Sequence, residues 1–208
     1  MQAETRYKIK RFLASANHWI IIVNIIVFLL TDLLLSPSAS SFVISKGSLG
    51  YRTFLAGEYY RIITCMFLHG GISHITGNVL MIFTIGDMLE NRLGTVRYLI
   101  LYFLTGVVAG ITSMGYNMMM ATNSSSIGAS GAGFGLLGAF VAILLMDRGL
   151  ARSLTLARIA MYIAFSVFVG ITSATTDVAA HIGGLVAGLV ICPILIITQN
   201  KNKRGIVR

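Results

Sequence analysis

Six runs of apolar residues, each long enough to cross a bilayer, constrain the fold of this chain more than any other feature. A helix needs about 20 predominantly apolar residues to span the hydrocarbon core. The runs cover residues 18–35, 73–89, 98–116, 130–146, 156–172 and 179–198. They are continuously apolar, whereas the strands of a membrane β-barrel alternate apolar and polar residues. The sequence therefore predicts an all-α integral membrane protein with six transmembrane helices.

The composition favours a single membrane domain. Hydrophobic residues make up 56% of the chain and charged residues only 11%, a balance too apolar to give a water-soluble globule a polar surface. Six spans and their connections use nearly all of the 208 residues, so we expect one domain over residues 1–208. The first run lacks a small-residue cleavage site, which indicates a retained helix rather than a signal peptide.

The distribution of Lys and Arg predicts the orientation of the helices, because cytoplasmic loops keep positive charge. Of the 16 Lys and Arg residues, only Lys46, Arg52 and Arg61 fall in segments that are outside when the N-terminus is inside. We therefore expect both termini in the cytoplasm, with the second, fourth and sixth helices beginning at the outer face. The basic tails carry no nucleic-acid motif, so the net charge of +9 indicates anchoring to the bilayer rather than nucleic-acid binding.

The connections between the runs differ in character. Residues 36–68 mix apolar side chains with charged ones and are too long for a plain turn, which predicts a structured, half-immersed outer loop. Residues 118–127 are rich in Met, Asn and Ser and predict a flexible connection. Cys65 and Cys192 are expected at different depths of the membrane, and therefore as free thiols.

Four polar side chains fall at one depth of the predicted bundle. Polar groups inside a span are costly, so each needs a partner or a role. His74 and Asn78 lie four residues apart at the start of the second helix and share a face. Ser130 opens the fourth helix, and His181 lies in the first turn of the sixth. Because these three helices run in the same direction, their four side chains can meet in one pocket.

This set of residues fits acyl transfer. A serine hydroxyl is a weak nucleophile that needs an adjacent base, and His181 is available to Ser130. The tetrahedral intermediate needs hydrogen-bond donors at its oxyanion, which His74, Asn78 and the backbone N–H of Ser130 can supply. Glycines beside the serine and the histidine would let the two helices pack backbone to backbone. These glycines are Gly128, Gly131, Gly135, Gly184 and Gly188.

The motifs that carry these residues resemble those of the rhomboid intramembrane proteases over all six predicted spans. HGGISHITGN places His69, His74 and Asn78 where rhomboids have their second-helix histidines and asparagine. ENRLG is similar to the acidic–x–Arg turn of the family, GASGAGF to its GxSG nucleophile motif, and AHIGGLVAG to its AHxxGxxxG motif. Phe134 stands where many rhomboids have a Tyr beside the base, and Tyr60-Arg61 stands where Trp-Arg is familiar.

The resemblance implies a Ser130–His181 dyad without a required acid, and an oxyanion hole made of His74, Asn78 and the Ser130 N–H. It implies no cofactor and no metal. The implied activity is that of an intramembrane serine endopeptidase, which cleaves membrane-anchored proteins in their transmembrane segments near the outer face. Helix-destabilised segments are the expected substrates, because a helical peptide bond is shielded by its own hydrogen bonding.

Other polar residues allow more than one interpretation. Asp177 could orient His181 from one helical turn away, or it could be a solvated aspartate at the helix start, which we favour. His69 is expected to organise the loop rather than take part in chemistry. The charges around ENRLG are expected to be structural, and no spacing of His, Cys and carboxylates matches a metal site.

Two other functions are weighed against the protease. A non-proteolytic relative of the same fold would bind membrane helices, but such relatives lack the dyad that this sequence keeps. A small transporter would need polar groups to continue toward the cytoplasm, yet below Asn78 and Ser130 the helices are almost wholly apolar. A bacterial inner membrane is the expected location, with a eukaryotic organelle left open; substrate identity and oligomeric state stay open too.

Overall fold

The computed structural model describes residues 12–147 and 177–205, of which residues 200–205 are described by their backbone alone. The fifth predicted span, residues 156–172, lies outside the described residues, as do the basic residues before position 12. Within the described ranges the regular structure is helical, and the β pairing there is an isolated bridge between Leu49 and Ser126. The prediction of an all-helical chain is confirmed for these ranges.

The helices are numbered here in chain order. Helix α1 is Ala16–Phe28, continued by a π-helical segment, Leu29–Leu33. The following connection contains α2 (Pro37–Gly47), α3 (Tyr51–Leu55), α4 (Arg61–Thr64) and a 3₁₀ turn (Cys65–Phe67). The remaining helices are α5 (Ile72–Leu93), α6 (Thr95–Met119), α7 (Ser130–Met146) and α8 (Val178–Gly205).

Four of the described helical segments are long and apolar enough to cross a membrane, namely Ala16–Leu33, Ile72–Leu93, Thr95–Met119 and Val178–Gln199. Helix α7 is apolar but has only 17 residues. Its buried residues lie on every side of the helix, so α7 is the central helix of the described bundle rather than a lipid-facing one. An integral membrane protein is therefore confirmed, whereas the six-helix count and the cytoplasmic termini stay predictions.

Helices α5 and α7 run in the same direction. At their starts, Gly128 lies against His74 in the first turn of α5, where an added Cβ would sit 2.6 Å from the imidazole Nε2. At their other ends, Arg92 forms an ion pair with Asp147 at 2.8 Å. Helix α8 is parallel to both. The site end of the bundle is the end at which these three helices begin, at Ile72, Ser130 and Val178.

Helices α7 and α8 pack backbone against backbone. A Cβ added to Gly184 would lie 2.0 Å from the carbonyl oxygen of Gly131, and one added to Gly188 would lie 1.9 Å from that of Gly135. Any larger side chain at these positions would push the two helices apart. The glycines thus place the first turns of α7 and α8 side by side, as the small-xxx-small spacing predicts.

At the opposite end, Glu90 holds the start of α1. Its carboxylate accepts hydrogen bonds from the Ser15 hydroxyl at 2.7 Å and from the backbone N–H groups of Ala16 at 2.9 Å and Asn17 at 3.0 Å. The Thr95 hydroxyl donates a fourth hydrogen bond at 2.8 Å. These contacts satisfy N–H groups that a helix start leaves without partners. Glu90 is therefore a structural charge, as expected.

The connection of residues 36–68 is organised by Arg61, whose side chain is buried. Its guanidinium donates to the Glu58 carboxylate at 2.6 Å and to the carbonyl oxygens of Ser45 at 2.7 Å and Ser48 at 2.9 Å. The hydrogen bond from Arg61 holds the pKa of Glu58 below its ordinary value. A planar guanidinium can satisfy all three acceptors at once, so the short helices of this segment have a fixed arrangement.

Candidate active site

The hydroxyl of Ser130 and the imidazole of His181 are in contact. His181 Nε2 lies 2.9 Å from Ser130 Oγ, within the range for proton transfer between a nucleophile and its base. Both residues sit in the first turns of adjacent parallel helices, where the glycine packing of α7 and α8 brings them together. His181 is buried, so its imidazole is largely shielded from water.

Phe134 fixes the plane of the His181 ring. It lies one turn after Ser130 on α7, and its ring stacks on the imidazole with a centroid distance of 4.1 Å and an interplanar angle of 11°. A stacked ring on one face and the serine hydroxyl at Nε2 restrict both the tilt and the position of the imidazole. The absence of a tyrosine hydroxyl at this position does not prevent the stacking.

The chain enters α7 through Gly128, which has φ of +113°. This left-handed conformation strains any residue with a Cβ. A Cβ there would also lie 2.6 Å from His74 Nε2 and 3.2 Å from Asn78 Nδ2. Glycine is thus required both for the turn and for the close approach of the two side chains. His74 and Asn78 consequently lie beside the backbone that leads to Ser130.

Asn78 carries a buried amide without a partner. The residue is 1% exposed, and neither Nδ2 nor Oδ1 has a hydrogen-bond partner among the described residues. Leaving such a group unpaired costs about 1–3 kcal/mol, so native proteins rarely do so without a reason. The amide N–H groups of Asn78 are therefore available to a bound ligand or intermediate.

His74 presents its other nitrogen to the same place. The backbone N–H of Gly70 points at His74 Nδ1 over a long contact of 3.5 Å. With Nδ1 as the acceptor, the ring proton of neutral His74 is on Nε2, the atom that faces Gly128. His74 can thus act as a second donor beside Asn78.

His69 packs behind His74. The two rings meet edge to face with a centroid distance of 5.1 Å, and His69 Nδ1 lies 3.3 Å from the carbonyl oxygen of Phe67. Burial, together with the nearby His74, lowers the pKa of His69 to about 4. A neutral ring that contacts His74 and not Ser130 fits the expected organising role.

The connection between α6 and α7 is bonded on both sides, which corrects the expectation of a flexible segment. Ser126 exchanges two backbone hydrogen bonds with Leu49, at 2.8 Å and 3.0 Å, and the Gly128 N–H donates to the carbonyl oxygen of Cys65 at 2.8 Å. The composition of residues 118–127 predicted flexibility. It could not reveal the partners of this segment, because they lie far away in the sequence. The approach to Ser130 is instead held by the 36–68 connection.

Asp177 caps α8 and also reaches the neighbouring elements. Its carboxylate accepts the backbone N–H of Ala180 at 2.9 Å and the hydroxyl hydrogen bonds of Ser113 on α6 and Ser126. Asp177 is half-buried, not fully solvated as expected, and its carboxylate bonds in the described part of the chain do not include His181. Sequence reasoning missed Ser113, although a serine inside a predicted span was a signal that it needed a partner.

A cavity of about 1010 Å³ opens beside Asp177, between the end of α6, residues 122–126 and the first turn of α8. Its described lining includes Asn117 and Ile182 but neither Ser130 nor His181. The cavity therefore adjoins the site without containing it.

Cys65 and Cys192 are both free and buried, as predicted. Burial, with a smaller contribution from the charge of Asp177, raises the pKa of the Cys65 thiol to about 12. A thiol with such a pKa is almost never a thiolate at neutral pH, so Cys65 is a poor nucleophile despite its place beside Gly128.

The chain matches one family model and several proteins with rhomboid in their names. The Rhomboid domain family model matches residues 56–198. RHOMBOID-like protein 1 of Arabidopsis thaliana is 36% identical over 160 residues, which cover 71% of this chain and 39% of that protein. Putative rhomboid protease YdcA of Bacillus subtilis is 31% identical over 156 residues, which cover 74% of this chain and 76% of that protein.

A further relative, Rhomboid protease GluP of Bacillus subtilis, is 29% identical over 168 residues, which cover 81% of this chain but 32% of the relative. The chain thus spans about a third of GluP and two fifths of the Arabidopsis protein. It spans about three quarters of YdcA.

Proposed function

This chain belongs to the rhomboid family, and on that premise we propose that it is an intramembrane serine endopeptidase with Ser130 as nucleophile and His181 as general base. The observation that carries the proposal is the 2.9 Å contact between Ser130 Oγ and His181 Nε2. Relatives over most of the chain are named as proteases, which supports the same class of activity.

The proposed reaction begins when Ser130 Oγ attacks the carbonyl carbon of the scissile peptide bond. His181 Nε2 takes the hydroxyl proton as the new C–O bond forms, and it gives that proton to the leaving amine when the C–N bond breaks. Water then attacks the acyl-enzyme and loses a proton to His181, which gives that proton to Ser130 Oγ as the ester bond breaks. The enzyme returns to its starting protonation state.

The oxyanion of the tetrahedral intermediate is proposed to lie between three donors. His74 Nε2 and Asn78 Nδ2 surround Gly128, and the backbone N–H of Ser130 lies at the start of α7. The positive end of the helix dipole adds to the stabilisation of negative charge there. Because the Asn78 amide has no partner among the described residues, it can bind the oxyanion without first breaking another hydrogen bond.

The membrane depth of the proposed site is supported by the length of α7. Its 17 residues give a helix of about 26 Å, at about 1.5 Å per residue, whereas the hydrocarbon core is about 30 Å thick. Charged residues favour the membrane surface, and the Arg92–Asp147 ion pair lies at the opposite end of this helix. With that pair at one surface, Ser130 lies below the other.

We propose that both termini are cytoplasmic, so that the site end faces the outer side of the membrane. The proposed substrates are membrane-anchored proteins with a helix-destabilised transmembrane segment. Such a segment can unwind locally, which exposes its peptide bonds to Ser130. A bacterial inner membrane is the proposed location.

The test is a cleavage assay with the purified chain in liposomes and a model single-span substrate. We expect cleavage by the wild type, and a loss of at least about 10³-fold in the Ser130→Ala and His181→Ala variants. A mechanism-based serine inhibitor is expected to label Ser130 in the wild type.

Ser124→Ala is the matched control, since it removes a nearby hydroxyl that bonds to Asn117 at 2.8 Å. It is expected to cleave at the wild-type rate. Normal cleavage by Ser130→Ala would show the nucleophile assignment to be wrong. Substrate binding without cleavage by the wild type would instead favour a non-proteolytic helix-binding protein.

A further inference from the structure

Asp177 stands where three elements of the site end meet. Its Oδ2 accepts hydrogen bonds from the hydroxyls of Ser113, on α6, and Ser126, in the connection to α7. Its Oδ1 accepts the backbone N–H of Ala180 in the first turn of α8. The two serine hydroxyls also lie 2.8 Å apart. One carboxylate thus joins α6, the approach to the nucleophile and the helix of the base.

Both oxygens of the Asp177 carboxylate are held by hydrogen-bond donors. The negative charge lies at the N-terminus of a 28-residue helix, where the helix dipole stabilises it. Ser113 is 1% exposed and Ser126 is half-buried, so one of the two hydroxyl donors is shielded from water. A charged group so completely bonded is a rigid junction rather than a mobile surface side chain.

The junction lies at the same chain distance from both members of the proposed dyad. Ser126 comes four residues before Ser130, and Asp177 comes four residues before His181. The hydrogen bond between Ser126 and Asp177 therefore connects the chain just before the nucleophile to the chain just before the base. The backbone of Ser126 also forms two hydrogen bonds with that of Leu49, which fix the position of Ser126 in the junction.

We propose that Asp177 is a positioning residue, which sets the distance between Ser130 and His181 through its bonds to Ser126 and to the start of α8. This inference rests on the proposed function. A misplacement of about 1 Å between reacting groups can cost about 100-fold in rate, so a contact that fixes two reacting elements has a large kinetic effect without touching substrate.

This role differs from that of a third triad member. A triad acid bonds directly to the histidine, and replacing it by the amide lowers kcat by about 10⁴. The carboxylate bonds of Asp177 in the described part of the chain go to Ser113, Ser126 and Ala180 instead. An asparagine can cap a helix as well as an aspartate can, and its amide can still bond to both hydroxyls.

The test measures kcat and KM for cleavage of a model single-span substrate in liposomes. We expect Asp177→Ala to lower kcat by about 10-fold to 100-fold and to change KM by no more than about threefold. Asp177→Asn is expected to keep kcat at its pH optimum within about threefold of the wild type, because the amide keeps the hydrogen bonds of the junction. Ser126→Ala is expected to lower kcat in the same direction as Asp177→Ala, and the double variant to be no slower than Asp177→Ala alone.

Ser124→Ala is the control, because its hydroxyl belongs to the same connection but bonds to Asn117 and not to Asp177. The labelling rate of Ser130 by the serine inhibitor gives a second readout, which should fall in parallel with kcat. If Asp177→Ala does not fold, Asp177→Asn and Ser126→Ala still decide the question.

Wild-type kcat in both Asp177→Ala and Ser126→Ala overturns the inference and leaves the proposed function intact. A loss of kcat in Asp177→Asn as large as that in Asp177→Ala also overturns it, since the negative charge, and not the hydrogen bonds to Ser126 and α8, would then carry the effect. A wild type that does not cleave overturns the proposed function itself, and this inference with it.

Discussion

Two buried asparagines, one at each end of the bundle, show what separates a polar group that holds the fold from one that is free to act. Asn17, at the opposite end, is 0% exposed and bonds on both sides: its Nδ2 donates to Asp87 at 2.7 Å, and its Oδ1 accepts the Tyr98 hydroxyl at 2.6 Å. Asn78, at the site end, is 1% exposed, and its amide has no partner among the described residues.

The same residue type thus has opposite energetic roles at the two ends. A satisfied buried amide stabilises the fold, and removing it leaves its partners unpaired. An unsatisfied amide costs stability and can recover that cost only from a ligand or an intermediate. The distinction can be tested by measuring both the unfolding free energy and kcat for a variant at each end of the bundle.

The largest expected effect is on catalysis at Asn78. Asn78→Ala should lower kcat by about 10²-fold to 10³-fold, because the proposed oxyanion hole loses one donor. The unfolding free energy should change by less than about 1 kcal/mol, because relief of the unpaired amide offsets the lost packing and no partner is left without a hydrogen bond. Cleavage kinetics and chemical unfolding in detergent measure the two quantities. A destabilised but fully active variant would break the comparison.

Asn17→Ala should show the reverse pattern. The Tyr98 hydroxyl, which is fully buried, would lose its acceptor, so we expect a loss of about 2–3 kcal/mol in unfolding free energy. The kcat of the folded fraction should stay within about twofold of the wild type. Active-site titration with the serine inhibitor gives that fraction. If kcat per active site fell as far as in Asn78→Ala, the opposite end would not be purely structural.

At the site end, His69 should make the unfolding free energy of the protein depend on pH. Its pKa of about 4 in the folded chain lies below the ordinary value of 6.5, so protonation favours the unfolded state. The contribution of His69 to the unfolding free energy is therefore present above pH 6.5 and declines as the pH falls toward 4. Between pH 7 and pH 5 we expect a loss of about 2 kcal/mol from this group.

Unfolding of the wild type and of His69→Gln across this pH range measures the effect. The glutamine variant should be less stable than the wild type at pH 7 but should lose less stability on acidification. Equal slopes for the two proteins would assign the acid sensitivity to other groups.

The smallest effect is expected at the ion pair of Arg92 and Asp147 at the opposite end. The Arg92 side chain is 52% exposed, so the pair is well screened by solvent. We expect Arg92→Ala to cost less than about 1 kcal/mol and to leave kcat unchanged. Arg92→Lys is the control, because it keeps the positive charge at this position. A loss above about 2 kcal/mol for Arg92→Ala alone would mean that charge pairing, and not only hydrogen bonding, holds this end together.

Much of the fold could be predicted from hydropathy alone. The predicted spans that fall within the described residues coincide with helices, and the fourth, residues 130–146, has the bounds of α7. The first run ends at residue 35, two residues after the helical segment ends at Leu33, whereas the second run ends at residue 89 and α5 continues to Leu93. Charged residues such as Glu90 end an apolar run but do not end a helix, because their bonding partners come from another element.

The candidate site was only partly predictable. Ser130, His181, His74 and Asn78 could be grouped because membrane helices fix the depth of each residue. The contacts of Asp177 with Ser113 and Ser126 could not be predicted, since they depend on which side of α6 and of the connection before α7 faces the start of α8. Hydropathy carries no information about which side of a helix faces which neighbour.

The sequence by itself determined the class of the protein, the depth of its polar groups and the glycines that let two helices touch. These properties follow from the cost of placing polar groups in hydrocarbon, which acts on each residue separately. The tertiary structure alone decided which buried amide is satisfied and which is not, how the connection before Ser130 is held, and what Asp177 binds. Those outcomes depend on hydrogen bonds between distant segments, whose geometry exists only once the helices have packed.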